Sequence, residues 1–99
     1  MIMRVWHGFT SAKDADTYDR MLRDEILPAI HRIEGYKGTW LLRRNAGDEV
    51  EFMTITTWDS WDAIQRFAPD GKSVIHPKAH GLLTRFDERS AHYDAVWVP

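Results

Sequence analysis

Two of the strand-forming runs in this chain are apolar on both parities, and that pattern restricts its fold more than any other feature. In Ile2–Phe9, Met3, Val5 and Phe9 share one parity while Ile2 and Trp6 share the other; in Val50–Trp58, Phe52 and Trp58 oppose Met53 and Ile55. Side chains alternate between the two faces of a strand, so a sheet with one wet face would alternate apolar and polar residues. These strands therefore need cover on both sides. Helices of the same chain can cover one. A second copy of the sheet is the simplest cover for the other, because soluble oligomers are mostly symmetric homodimers.

The rest of the chain supplies those helices. Ile2–Phe9 reads as a strand ending at the polar run Thr10-Ser11-Ala12-Lys13-Asp14. From Ala15 to about Ile33, the residues Tyr18, Met21, Leu22, Ile26, Ile30 and Ile33 recur at spacings of three and four, predicting a helix with one apolar stripe and Asp14 as its N-cap. Pro28 lies inside it, without an N–H and crowding the preceding turn, so a kink or distorted turn is expected. Glu34-Gly35 ends the helix. Tyr36–Arg44 and Val50–Trp58 form a hairpin around Asn45-Ala46-Gly47-Asp48-Glu49. Asp59 or Ser60 caps a short helix from Trp61 to about Phe67, broken by Pro69-Asp70-Gly71. Pro77 opens a further short helix to about Arg85, and Ala91–Val98 is the last strand. The order βαββα(α)β describes one α+β domain over residues 1–99, a ferredoxin-like split βαβ with its helices on one face of an antiparallel sheet.

Charge and composition narrow the partners. Thirteen basic and fifteen acidic residues leave a formal charge of −2, and no basic run interrupts the balance, so neither nucleic acid nor a membrane surface is an expected partner. The chain has no cysteine, which removes disulfides, thiolate metal sites and cysteine nucleophiles. No stretch has the length and apolarity of a signal peptide or membrane span, so a cytoplasmic location is expected. No phosphate-binding glycine loop, serine elbow or dinucleotide fingerprint is present, which argues against hydrolysis, phosphoryl transfer and a tightly held nicotinamide or flavin.

Five tryptophans in so short a chain and five histidines provide the candidate site residues. His7 shares its strand parity with Met3, Val5 and Phe9, which we assign to the helix-covered face; an imidazole there could take a proton from a phenol, against the plainer reading of a core histidine bonded to a carbonyl. Trp58 and Trp61 flank the strand-to-helix turn and Trp40 lies in the hairpin, where they wall an apolar pocket for a flat molecule or simply pack the core. Tyr93 and His92 point to opposite sides of the last strand, and Tyr93 is taken as the pocket residue. His76 and His80 are four apart, but Pro77 pushes His76 out of helical geometry toward a capping role, so no metal site is expected. Arg43-Arg44 and Asp87-Glu88-Arg89 read as solvated charges.

The runs Ile33-Glu34-Gly35-Tyr36-Lys37-Gly38 and Thr57-Trp58-Asp59-Ser60-Trp61-Asp62-Ala63, with His92-Tyr93-Asp94-Ala95-Val96 at the end, resemble the antibiotic biosynthesis monooxygenase (ABM) family. The resemblance spans nearly the whole chain. It implies a dimeric α/β barrel with a pocket between sheet and helices in each subunit, and a small aromatic, phenolic or polyketide-like substrate oxygenated without a cofactor. Under that reading His7 or a pocket water is the base, and Trp40, Trp58, Trp61, Phe67, His80 and Tyr93 surround the substrate. The alternatives are a dimeric module that binds a small molecule without transforming it, and a haem degrader. In the haem-degrading relatives, His80 resembles the iron-binding histidine, but His7 stands where they carry an asparagine and Phe67 where they carry a tryptophan. Haem is accordingly disfavoured and no cofactor is expected.

Overall fold

The computed structural model describes residues 1–99 and is organised around its first strand. Strand β1 (Ile2–Ser11) pairs antiparallel along its whole length with β3 (Glu49–Trp58), and β3 pairs in turn with β2 (Tyr36–Ala46). On its other edge β1 is shared by two short strands: β4 (Leu83–Phe86) pairs with Gly8–Thr10 and β5 (Ala91–Asp94) with Ile2–Val5. The result is a five-stranded antiparallel sheet with helices on one face.

The helical layer begins with a 3-10 turn, Ala12–Asp14, and continues as α1 (Ala15–Met21), a π-helical segment Leu22–Ile26, and α2 (Leu27–Ile30). The distortion expected at Pro28 is thus placed just before it. A proline has no N–H and its ring crowds the carbonyl four residues earlier, and the wider turn, in which Leu27 N–H reaches back to Leu22 O, relieves that crowding. The helix ends at Ile30, three residues earlier than the periodicity predicts. Asp14 occupies the N-cap position of α1 without a capping side-chain bond, the preceding 3-10 turn having already engaged the local amides. By contrast, α3 (Trp61–Phe67) is capped by Ser60, whose hydroxyl accepts from Ala63 N–H at 3.2 Å.

Three segments differ from the sequence reading. Pro77 starts only a single 3-10 turn, Pro77–Ala79; Gly81 follows, and the β-forming Leu83-Thr84-Arg85-Phe86 pairs with β1 where a helix was expected. The free edge of β1 outweighs the local helical signal there. The hairpin loop tightens to Gly47-Asp48, with Gly47 at φ +68°. Strand β5 stops at Asp94, and Val96, Trp97 and Val98 beyond it are exposed.

Two apolar clusters fill the space between sheet and helices. In one, Tyr18 meets Phe52 edge to face at 4.9 Å between ring centres, with Ala15, Leu22, Val50 and Ala79 around them. In the other, Trp58 is fully buried, stacked on Phe67 at 5.4 Å and against the edge of Tyr36, with Ala63 and Ile64 behind it. The apolar sheet residues divide by parity as expected: Phe52 and Trp58 lie beneath the helices, whereas Met53 and Ile55 lie on the opposite face. No helix is long and apolar enough to cross a membrane.

Gly35 ties the second cluster together. Its φ is +93°, its carbonyl accepts from Asp59 N–H at 2.8 Å, and a Cβ at this position would stand 2.4 Å from the Ala63 Cβ. The glycine after the first helix and the Trp-Asp-Ser turn are thus one packed unit, in which the turn into β2 sits directly on the start of α3. Gly35→Ala is expected to cost about 2–5 kcal/mol, combining backbone strain with overpacking. Gly47 also has positive φ but nothing within 4 Å of its added Cβ, so Gly47→Ala should cost only about 1–2 kcal/mol. Urea denaturation of the two variants checks the ranking, and equal losses would contradict the close packing at Gly35.

Candidate functional site

The parity of β1 decides which side chains can form a site beneath the helices. Arg4 and Trp6 point toward the helical layer, joined from β3 by Thr54 and Thr56. Leu22, Ile26, Leu27 and Ile30 roof them, Phe67 closes one end, and Val74, Ile75 and His76 close the other. Gly8 makes the floor possible, because a Cβ there would meet the Trp6 indole at 2.4 Å; the ring lies over the bare glycine. Trp6 Nε1 donates to Ser73 Oγ at 3.0 Å and Asp87 O at 3.1 Å, which fixes the indole plane. The void enclosed is about 60 Å³, room for a few waters, against roughly 300–1,000 Å³ for sites that take small molecules. A ring system enters only by parting the helical roof from the sheet.

Arg4 is the one charge on the floor of this cleft. It is 4% exposed, and its fork donates to His92 Nε2 at 3.0 Å and to the Lys72 carbonyl at 2.8 Å, with the guanidinium 5.5 Å from the Phe67 ring centre. All three partners are neutral. Burial without a counter-charge pushes its pKa down to about 10. The same burial, with the charge of Arg4 beside it, lowers the pKa of His92 and keeps that imidazole as an acceptor. Ser90 is among the residues lining the cleft and its buried Oγ has no hydrogen-bond partner, and burial pushes the Tyr18 phenol well above the ordinary tyrosine range.

Of the residues chosen from sequence, Phe67 lines the cleft and the others lie elsewhere. His7 is on the opposite face of the sheet, one residue out of phase with Arg4 and Trp6, so the assignment of its parity to the helix-covered side is corrected. There Asp87 Oδ2 accepts from both the His7 backbone N–H at 3.0 Å and its Nδ1 at 2.8 Å, while Glu51 lies 3.9 Å from Nε2. This carboxylate bridges the break between β4 and β5, where the ladder with β1 lapses. Asp87 is therefore no solvated charge. The two arginines of β2 are solvated as expected, although each has a surface partner: Arg43 binds Asp16 and Asp19 and lies against the Phe52 ring, and Arg44 binds Glu51.

Trp40 and Tyr93 project from the open face of the sheet, 68% and 58% exposed. Of the last-strand pair it is His92, not Tyr93, that turns toward the helices. Trp58 is core, its Nε1 bonded to Thr56 Oγ1 at 2.9 Å. Trp61, the first residue of α3, is exposed on its outer side and meets the His92 ring edge to face at 4.8 Å. His80 is exposed in a shallow groove beside Phe86, Lys72 and Arg89, whereas His76 lines the cleft and caps the Pro77 turn through Nδ1, which accepts from Lys78 N–H at 3.2 Å. Arg4, Trp6 and His76 were thus missed as cleft residues. An Arg inside an otherwise apolar strand carried no signal for the cleft, since such a charge is seldom buried without a neutralising partner.

The lowered pKa of His92 has a stability consequence. The unfolded chain takes up a proton near the ordinary value of 6.5, while the folded chain resists it, so the stabilisation is complete above that pH and is lost as pH falls toward the folded-state value. Urea midpoints should therefore decline from pH 7.5 to pH 5, and His92→Gln, which keeps an acceptor for Arg4 but cannot titrate, should flatten part of that decline. An unchanged slope in the variant would remove His92 as its source.

No family model matches the sequence, and no curated protein matches it. Solved structures do. The chain superposes over its full length on 98% of a variant of MhuD with two manganese protoporphyrin IX molecules bound per active site, at a TM-score of 0.71 and 18% identity. It also superposes on 99% of the haem degrader MhuD of Mycobacterium tuberculosis with two haems in its active site, at 0.64 and 18%. A Bacillus cereus protein assigned to the antibiotic biosynthesis monooxygenases gives 0.65 and 12%, with 99% of this chain and 97% of that one covered. The expectation of no cofactor, with haem disfavoured, is overturned by the two MhuD structures, which hold haem or its manganese counterpart on this architecture. At these identities the likeness is one of fold, and the chain carries the ferredoxin-like fold of the ABM proteins.

Proposed function

We propose that this chain is a cytoplasmic, homodimeric, monooxygenase-type protein whose cleft takes a flat aromatic or porphyrin molecule between the helical roof and the sheet. The observation that carries the reading is the cleft lining: Trp6, Tyr18 and Phe67 present rings, and Leu22, Ile26 and Ile30 present aliphatic surface, around a single buried cation. Flat apolar walls with few polar groups are what a planar ligand needs for burial and orientation. The chemistry of this lining suits a porphyrin, with Trp6 and Phe67 as the surfaces that would hold the ring and His76 as the imidazole at the mouth. Haem, when bound, supplies an iron at which dioxygen is activated. The chain's own part is to hold the ring, exclude water and fix its orientation.

A second reading, binding without turnover, is favoured by one detail. His76 is the single histidine lining the cleft, and its Nδ1 lone pair is already taken by Lys78 N–H. A neutral imidazole in that state carries its proton on Nε2 and is a donor, not a base. To act as a ligand or base it must surrender the cap.

The dimer is supported by the open face of the sheet. Trp40, Leu42 and Tyr93 are exposed there beside Met3, Val5, Phe9, Met53 and Ile55, and large exposed apolar patches mark interaction surfaces. Sedimentation should give twice the chain mass of 11.6 kDa, and Leu42→Glu should shift the protein toward monomer. A folded wild-type monomer at micromolar concentration would overturn the pairing.

Ligand binding is tested by titrating haem while following tryptophan fluorescence and the Soret band. Saturable binding is expected, weakened roughly 2- to 10-fold by either Trp6→Ala or Phe67→Ala. Incubating the loaded protein with dioxygen and ascorbate, then weighing the products, separates the two readings: a product with added oxygen means turnover. Failure of haem and of small polycyclic phenols alike to bind would sink the cleft as a ligand site.

A further inference from the structure

We propose that the occupant of the cleft carries an anionic oxygen on its ring system, a carboxylate or phenolate, and that Arg4 and Ser90 receive it. The inference rests on the reading that the cleft takes a flat ring, and adds the charge that ring must bring. Its ground is an imbalance inside the protein. Arg4 is almost wholly buried, and a buried guanidinium is ordinarily matched by a carboxylate. Here it meets an imidazole nitrogen, a backbone carbonyl and the face of a phenylalanine, and takes part in no ion pair. Two of its five N–H donors are used in those bonds, leaving donors for an incoming acceptor.

A second, independent observation points to the same place. Ser90 is 9% exposed, its backbone N–H is bonded to Gly71 O at 3.0 Å, and its hydroxyl has no partner at all. A buried hydroxyl without a partner is unusual in a well-packed protein. Both Arg4 and Ser90 line the cleft, and Ser90 directly precedes the strand whose His92 is paired with Arg4, so the same stretch of lining holds an unmatched cation and an unmatched hydroxyl. The chain also holds the fork in place. His92 and the Lys72 carbonyl grip one nitrogen each, and the segment that provides Lys72 is pinned to the strand-side segment by Ser73 N–H to Glu88 O at 2.9 Å. His92 is thus a positioning residue, aiming the guanidinium along the floor.

The experiment compares 2-naphthoate with its neutral isostere 2-naphthamide, measuring dissociation constants by tryptophan fluorescence at pH 7.5. For the wild type we expect naphthoate to bind at least tenfold more tightly, since a hydrogen bond to a charged group outweighs a neutral one. Arg4→Met should erase that preference by weakening naphthoate far more than naphthamide, whose amide oxygen loses only a neutral acceptor's bond, and Arg4→Lys should retain part of it. Ser90→Ala, a change too small to endanger folding, should weaken naphthoate severalfold and naphthamide less. Equal affinity of the two probes for the wild type would overturn the proposal and leave the flat-ring reading intact. Binding of neither probe, together with no response to haem, would overturn both. A Ser90→Ala variant with unchanged naphthoate affinity would remove the serine and confine the anion to Arg4.

Discussion

The whole arrangement depends on the pairing of one strand. β1 lies between β3 and the β4–β5 edge, so its alternation of side chains is imposed on its neighbours. Ile2, Arg4, Trp6 and Thr10 go under the helices; Met3, Val5, His7 and Phe9 go to the open side. A slip of one residue in this register would exchange the two sets. It would put an imidazole in the cleft and a guanidinium on the open sheet. The register is held where it could weaken: Asp87 clasps His7 through backbone and ring across the gap between β4 and β5, and Trp6 ties into the same turn through its indole nitrogen.

Much of the fold was legible in the sequence because the signals there are local. The helical stripe, the Trp61–Phe67 helix with its serine cap and the strand hairpin follow from spacing and cap chemistry, and the structure has them. What could not be read was competition. Leu83–Phe86 has residues suited to a strand, and the proline ahead of them suggests a helix start; the outcome depends on an unpaired edge of β1 that only the tertiary fold provides. The same holds for the tail, where alternating apolar residues suggested a strand through Val98 but ladder pairing ends near Asp94.

The site was less legible, and for a specific reason. Both parities of β1 are apolar enough to be core, so the sequence does not say which one the helices cover. Choosing the parity of His7, because histidine suggests chemistry, put the candidate residues on the wrong side of the sheet. Arg4 would not have corrected the choice: a cation is costly under helices unless something neutralises it, which argues from sequence for the open face, whereas an imidazole can be accommodated on either side by one acceptor. The tryptophans mislead in a similar way. Trp58 is wholly consumed by packing, whereas the Trp6 ring passes over Gly8 in the cleft.

The wide turn ahead of Pro28 divides the helical layer into two pieces with different allegiances. Tyr18 and Leu22 belong to the cluster around Phe52, while Ile30 and Ile33 belong to the one around Trp58. A straight rod would transmit any displacement from one end to the other. This one has a joint beside the void, where Ile26 and Leu27 still pack on the first cluster, so the two pieces answer to different parts of the sheet.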